Sequence, residues 1–324
     1  MSVFFQRILV GLGVILVTLL VSTPSRAQAN KEVQELIKKA VEASKNKDAK
    51  TALSYANKAI KMNPKAAGLY LLRGDINHQM IKPKEAIADY SKAVDLAPNA
   101  VQPYLRRATL YQVIRKHKDA ETDWSKVIKL APKLSQAYQA RGAERFKLGN
   151  FKGSVEDFDR YLKLKPKERP QHWMRGISLY YAKDYKEGKL QFEGYQTFDS
   201  TDVENAVWRY LCMVPVVGKK QAQADMLKID GDDRIPMSQV YKMFAGKTEP
   251  EDVLKAAKAG EPSKAQLNQR LFYAHLYIGL YYVSEGKTEL GYKNLNLATE
   301  NYPIGHYMWD VARVHRDVLK PKTK

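Results

Sequence analysis

Two Gly-Lys-Thr triplets, Gly246-Lys247-Thr248 and Gly286-Lys287-Thr288, come closest to a phosphate-binding loop. Such a loop needs a further glycine five residues before the first, so that backbone N–H groups can cradle the phosphate. Tyr241 and Tyr281 stand there instead, and both triplets are expected as helix-ending turns. Asp230, Asp232 and Asp233 form an acidic run. A calcium loop places acids at alternate positions and glycine at the sixth; Gly231 breaks that order, so a polar surface turn is expected. Six histidines, His78, His117, His172, His275, His306 and His315, show no His-Glu-x-x-His spacing. No Gly-x-Ser-x-Gly elbow is present. Cys212 is the single cysteine and lies between Leu211 and Met213. It can form no intramolecular disulfide and reads as a small buried hydrophobe. These residues predict no catalytic centre, no metal site and no cofactor.

Charge is patterned more strongly than chemistry. Arg73, Arg107, Arg141 and Arg175 recur every 34 residues, as do Asp89, Asp123 and Asp157. One reading is a basic ladder for an anionic ligand. The matched period of opposite charges favours the other, an Arg–Asp pair repeated between helices that fixes their geometry. The chain as a whole carries 54 Lys plus Arg against 35 Asp plus Glu, a formal +19. Such a chain attracts anions. Its 324 residues suffice for about two domains, and Gly 18 with Pro 14 excludes collagen and low-complexity disorder.

The first 29 residues read as an export signal. Arg7 precedes an uncharged apolar run, Ile8 to Val21, broken by Ser22, Thr23, Pro24 and Ser25. Ala27-Gln28-Ala29 supplies the small-x-small cleavage pattern. The run is short against the ~20 residues of a spanning helix, although an uncleaved anchor is the alternative. Cleavage would leave Asn30 first and lower the formal charge to +17 with the loss of Arg7 and Arg26. No cysteine near the site could carry a lipid. The protein is therefore expected outside the cytoplasm, periplasmic or secreted, with no stable membrane anchor once cleaved.

What must position these side chains is a repeat. Pro64, Pro98, Pro132 and Pro166 lie 34 residues apart. Small residues keep the same step at Ala40, Gly74, Ala108, Gly142 and Gly176, and again at Ala52, Ala86, Ala120, Ser154 and Gly188. Bulky residues follow the second series by four at Tyr90, Trp124, Phe158 and Phe192, and a further series is Leu36, Tyr70, Tyr104 and Tyr138. The pattern predicts helix–turn–helix units. Small residues mark close helix crossings, and the residue four positions on lies on the same helical face. Proline ends each unit because it cannot sit inside a helix. A lone unit cannot bury its apolar face, so units must stack.

These residues resemble the tetratricopeptide repeat over five units, about 33–66, 67–100, 101–134, 135–168 and 169–202. The second is clearest, with Tyr70, Gly74, Ala86, Tyr90, Ala93 and Pro98. The resemblance implies an all-α, right-handed superhelix. Residues 203–262 are a divergent helical segment: Val203 to Cys212 reads as a helix ending near Pro215, Gln221 to Leu227 as another, and Pro236 and Pro250 open two more. Residues 263–324 hold a returning unit with Gly279, Leu295, Ala298 and Pro303, then a capping helix over His306 to Leu319. The divergent unit, the returning unit and the cap together resemble the NlpI-type envelope tetratricopeptide proteins.

The resemblance implies a non-enzymatic adaptor that takes a protein or peptide on the concave face of its first helices. The inward offsets there are Gln102, Leu105, Arg106, Thr109 and Gln112, then Gln136, Gln139 and Phe146, then Trp173, Ile177 and Tyr180. Whether Trp173 and Ile177 face the groove or the core stays open. The family's carboxylate clamp uses Lys and Asn, where this chain has Leu71 and Asp75, so a C-terminal EEVD-type ligand is not expected. The basic balance makes an acidic partner the expectation. The signal and the lack of an aromatic–basic motif argue against nucleic acid. Two alternatives remain, an enzyme with an unrecognised site in 203–262 and a binder of anionic envelope polymers. The identity of the partner and the oligomeric state are not written in these residues.

Overall fold

The structure, a computed structural model, describes residues 24–229 and 231–320. Most of the expected export signal and Asp230 lie outside the described residues. Every element among the described residues is helical. Two compact units are present, one ending at Arg115 and one running from Lys116.

The first unit contains α1 (Pro24–Lys45), α2 (Ala49–Met62), α3 (Ala67–Gln79), α4 (Pro83–Leu96) and α5 (Val101–Val113). Pro83 opens α4 at a position where its missing N–H costs nothing, and Asp48 caps α2 by accepting from the Thr51 N–H at 3.1 Å. Hairpin α3–α4 closes tightly because Gly74 has no side chain: a Cβ there would come within 2.5 Å of the Tyr90 ring. Tyr90, Ile76 and Leu110 are among the largest fully buried side chains.

The second unit contains α6 (His117–Leu130), α7 (Ser135–Lys147), α8 (Phe151–Leu164), α9 (Trp173–Tyr181), α10 (Tyr185–Tyr195) and α11 (Val203–Val217). It continues with α12 (Lys219–Ala224), α13 (Met237–Phe244), α14 (Pro250–Lys258), α15 (Lys264–Ser284), α16 (Thr288–Glu300) and α17 (Tyr307–Leu319). Its core holds Phe146, Phe158, Phe192, Trp208, Phe244, Phe272 and Tyr277. Pro215 does not end α11; it sits in the last turn, and the helix stops at Gly218, whose φ of 79° suits only glycine. The following helix starts two residues earlier and ends three residues earlier than the apolar pattern predicts.

Two columns of backbone and hydroxyl contacts explain the period. Tyr70, Tyr104 and Tyr138 each donate to the carbonyl of the proline six residues earlier, at 3.1, 3.2 and 3.1 Å. Each tyrosine thereby ties a helix to the loop that leads into it. The turn inside each hairpin carries one left-handed residue, at Lys47, Ile81, Arg115, Gly149 and Lys183, again 34 apart, with φ between 57° and 79°. Gly246 and Gly286 are also left-handed, at 71° and 74°. Both Gly-Lys-Thr triplets are therefore the helix-ending turns the sequence predicts.

Candidate functional site

The arginine series is an internal brace. The Arg73 guanidinium reaches Asp89 of the same hairpin (Nη2 to Oδ1 2.6 Å) and Asn57 of the preceding helix (2.9 Å). Arg141 repeats this with Asp157 (2.6 Å) and Ser125 (3.1 Å). Partners thus stand 16 residues after and 16 before each arginine. Arg107 donates to Ser91 at 2.8 Å, following the same rule. In the fifth repeat the acid changes side: Arg175 holds Asp159 at 2.6 Å behind it and Gln191 at 3.2 Å ahead. Arg209, one further step of 34 along, holds Glu193 at 2.8 Å and the Asp225 carbonyl at 2.5 Å. The sequence reading missed Arg209, and continuing the step from Arg175 finds it. The pair α11–α12 is thus a degraded sixth repeat, with Ala222 buried one step after Gly188.

In the first unit, Gln102 is exposed and Leu105, Arg106, Thr109 and Gln112 are half-exposed on α5. Arg106 lies 3.5 Å from Asp75 of α3. Asp75 also accepts from the Tyr90 hydroxyl at 2.8 Å. Burial pushes the Asp75 carboxyl above its usual range, against the opposing pull of Arg106. Thr109 returns its hydroxyl to the Leu105 carbonyl at 2.9 Å. The α3–α5 face therefore offers a half-exposed leucine beside an arginine that already has one carboxylate within reach.

The second unit is different, and corrects part of the expected groove. Gln136 is exposed and Gln139 half-buried, but Phe146 and Ile177 are 0% and 1% exposed, in the core. Trp173 and Tyr180 are partly buried against the same cluster. The cause is α17. Tyr307 stacks on Phe146 at 5.6 Å and meets Trp173 edge-on at 5.4 Å. The Tyr181 hydroxyl contacts His315 Nδ1 at 2.7 Å, and Arg313 donates to the Lys147 carbonyl at 2.8 Å. Met308, Val311 and Val314 form the buried face of α17. The helix needs an apolar seat, and the inner faces of α7 and α9 supply it. It caps the end of the core and also fills the offsets where a ligand was expected. Burial lowers the His315 pKa to about 4, with Tyr180 and Tyr181 against the ring.

Beneath α17, Glu144 is fully buried, 2.7 Å from both His117 Nδ1 and Lys147 Nζ. The acidic run at 231–233 is more than a surface turn. Asp232 joins Arg234, which also binds Asp202 (2.7 Å) and Glu204 (2.9 Å), and the Tyr277 hydroxyl donates to Glu204. Burial raises the Glu204 pKa, with Asp202 adding to it. Among the described residues no group of three or more His, Cys, Asp or Glu is placed to hold a metal ion. Burial also pushes the Cys212 thiol up, which disfavours the nucleophilic thiolate.

Comparison with known proteins agrees with this geometry. Residues 67–100, the second repeat, match the family model of the tetratricopeptide repeat. A tetratricopeptide repeat protein from Parabacteroides merdae ATCC 43184 superposes with a TM-score of 0.52 at 18% identity, over 89% of this chain and 99% of that one. YrrB, a tetratricopeptide repeat protein described as having an unusual peptide-binding site, matches at 0.48 and 18%, over 63% and 97%. MamA from Desulfovibrio magneticus RS-1 matches at 0.46 and 17%, over 50% and 92%. No curated protein matches the chain in sequence. Residues 67–100 carry a tetratricopeptide repeat, and the chain has the fold of a protein built from such repeats.

Proposed function

We propose that this protein is a non-enzymatic adaptor that binds a protein or peptide partner on the α3–α5 face of its first unit. Tetratricopeptide repeats serve protein and peptide binding, and the inner face of such arrays is the usual place for it. The observation that carries the choice of face is the contrast between the units. Leu105, Arg106 and Gln102 remain accessible, whereas Phe146 is buried under Tyr307 of α17 and Ile177 is buried in the same core cluster. An acidic partner fits, because its carboxylate would compete with Asp75 for Arg106 and the chain's excess charge is positive. Action outside the cytoplasm is part of the proposal, supported by Ile8 to Val21 and Ala27-Gln28-Ala29. The finer likeness to NlpI-type envelope proteins rests on the sequence of residues 203–230, of the returning unit at about 272–305 and of the cap.

The test is capture from an envelope extract with the full chain, followed by association kinetics on the partner found. Arg106→Glu with Leu105→Asp should abolish capture, while Gln136→Ala should leave it intact. Loss on neither substitution places the partner elsewhere. Association that does not slow with added salt removes the acidic character of the partner.

A further inference from the structure

The hairpin turns of the first unit form an edge that the adaptor reading does not use. Stacked hairpins place equivalent turn residues on one edge, with neighbouring helices about 8–10 Å apart. On this edge the α1–α2 turn presents Lys47 and Lys50, and the α3–α4 turn presents Ile81, Lys82 and Lys84, all exposed. The end of α5 adds Val113. Lys47, Lys82 and Lys84 have no ion-pair partner among the described residues. The acids present are Asp48, engaged in capping α2, and Glu85 in the first turn of α4. Ile81 is 87% exposed and Val113 63% exposed.

Ile81 is the decisive residue. Its φ is +57°, a left-handed conformation in which a branched Cβ crowds the backbone. The fourth repeat uses glycine at the same place. A bulky apolar side chain is thus held fully in solvent at a position where its own backbone disfavours it. Nothing in the fold uses that side chain, so the reason for it lies outside the fold. In the second unit the corresponding turns again pair lysine with apolar residues: Lys152 follows Leu148, which is 41% exposed.

We propose that this edge docks on an anionic lipid surface, with Lys47, Lys50, Lys82 and Lys84 at the headgroups and Ile81 and Val113 entering the interface. Lysines alone would suit any polyanion. The two aliphatic tips favour a bilayer, because a water-dissolved polymer offers them no apolar phase, whereas the headgroup boundary accepts cations outside and aliphatic groups within. No described helix is long and apolar enough to cross a membrane; the contact proposed is with the headgroup boundary alone.

The experiment uses the full chain with an environment-sensitive fluorophore on Ile81→Cys; Cys212 is buried and stays unlabelled. Adding phosphatidylcholine vesicles that contain phosphatidylglycerol should shift emission to the blue. Pure phosphatidylcholine, or high salt, should abolish the shift. A label on Lys61→Cys, in the last turn of α2 at the opposite edge, should not respond. Lys82→Glu and Lys84→Glu should each weaken the response about fivefold or more, which separates the edge from insertion of Ile8 to Val21. With the label on Val113→Cys, Ile81→Gly should weaken it too, and that variant relieves its turn, so it folds. No shift at position 81, or equal shifts at 81 and 61, overturns the proposal. Tight binding to polyphosphate with no response to vesicles assigns the edge to a soluble polyanion and overturns it as well.

Discussion

Arg73 and Asp89 meet across the α3–α4 crossing as a forked pair, with Nε and Nη2 both on the carboxylate at 2.6 to 3.1 Å. Asn77 donates to the same carboxylate at 3.0 Å. Asp89 is 5% exposed, so losing the arginine strands a buried charge. A double-mutant cycle on Arg73→Met and Asp89→Asn should show coupling of about 0.5–3 kcal/mol. Native-state hydrogen exchange of the α3 and α4 amides is the suitable readout, since a repeat array opens locally. Independent effects of the two substitutions would return the ladder to ligand recognition.

Ile81→Gly should stabilise the protein. Relief of the left-handed backbone is worth about 1–2 kcal/mol, while glycine's freer unfolded chain takes back about 0.4–1 kcal/mol. A net gain on the order of 0.5–1 kcal/mol is expected in local exchange protection. Gly149→Ile should do the reverse at the equivalent turn.

Tyr307→Ala should unseat α17. Removing a buried aromatic costs about 3–5 kcal/mol, and here the ring also stacks on Phe146 and touches Trp173. Tryptophan emission should move to the red, and proteolysis should appear in residues 301–306. Unchanged emission would mean that α17 holds its seat without the ring.

Acid should weaken the second unit through two histidines. His315 and His172 both have a pKa near 4 in the fold, desolvation being the main cause, against 6.5 when exposed. Below pH 6.5 the unfolded chain takes up protons that the fold refuses. Stability is therefore complete above pH 6.5 and falls down to about pH 4, by on the order of 3 kcal/mol per histidine. His315→Gln should flatten that window in acid-unfolding curves followed by tryptophan fluorescence.

The 34-residue step made most of the array legible. It locates the hairpins, the close crossing at Gly74 and the arginine brace. It tells which residues face inward, but not what lies against them. Phe146 is buried, yet the helix whose Tyr307 stacks on it comes from about 160 residues further along the chain, and no local period encodes that return. The Arg234 cluster escaped for the same reason. Its partners Asp202 and Glu204 stand 32 and 30 residues away at the start of α11, while Arg234 lies in a loop that follows no period. The left-handed column was hidden because Lys47, Ile81 and Lys183 are not turn formers by type; the hairpin geometry imposes the conformation on them.

The change of side at Arg175 sets a grammar for joining repeats. Up to Arg141 the acid is spelled in the arginine's own hairpin and a neutral residue in the hairpin before; from Arg175 onward the order is reversed. Excising the 34 residues of the fourth repeat would remove α7 and α8 as one unit. It would also set Arg175 between Ser125 and Gln191, leaving the buried cation only the half-exposed Glu187 carboxylate, 3.9 Å away. The repeats look interchangeable in outline, but they are words with gender, and the fourth carries the acid for its own arginine, Asp157 for Arg141, and the acid for the next, Asp159 for Arg175.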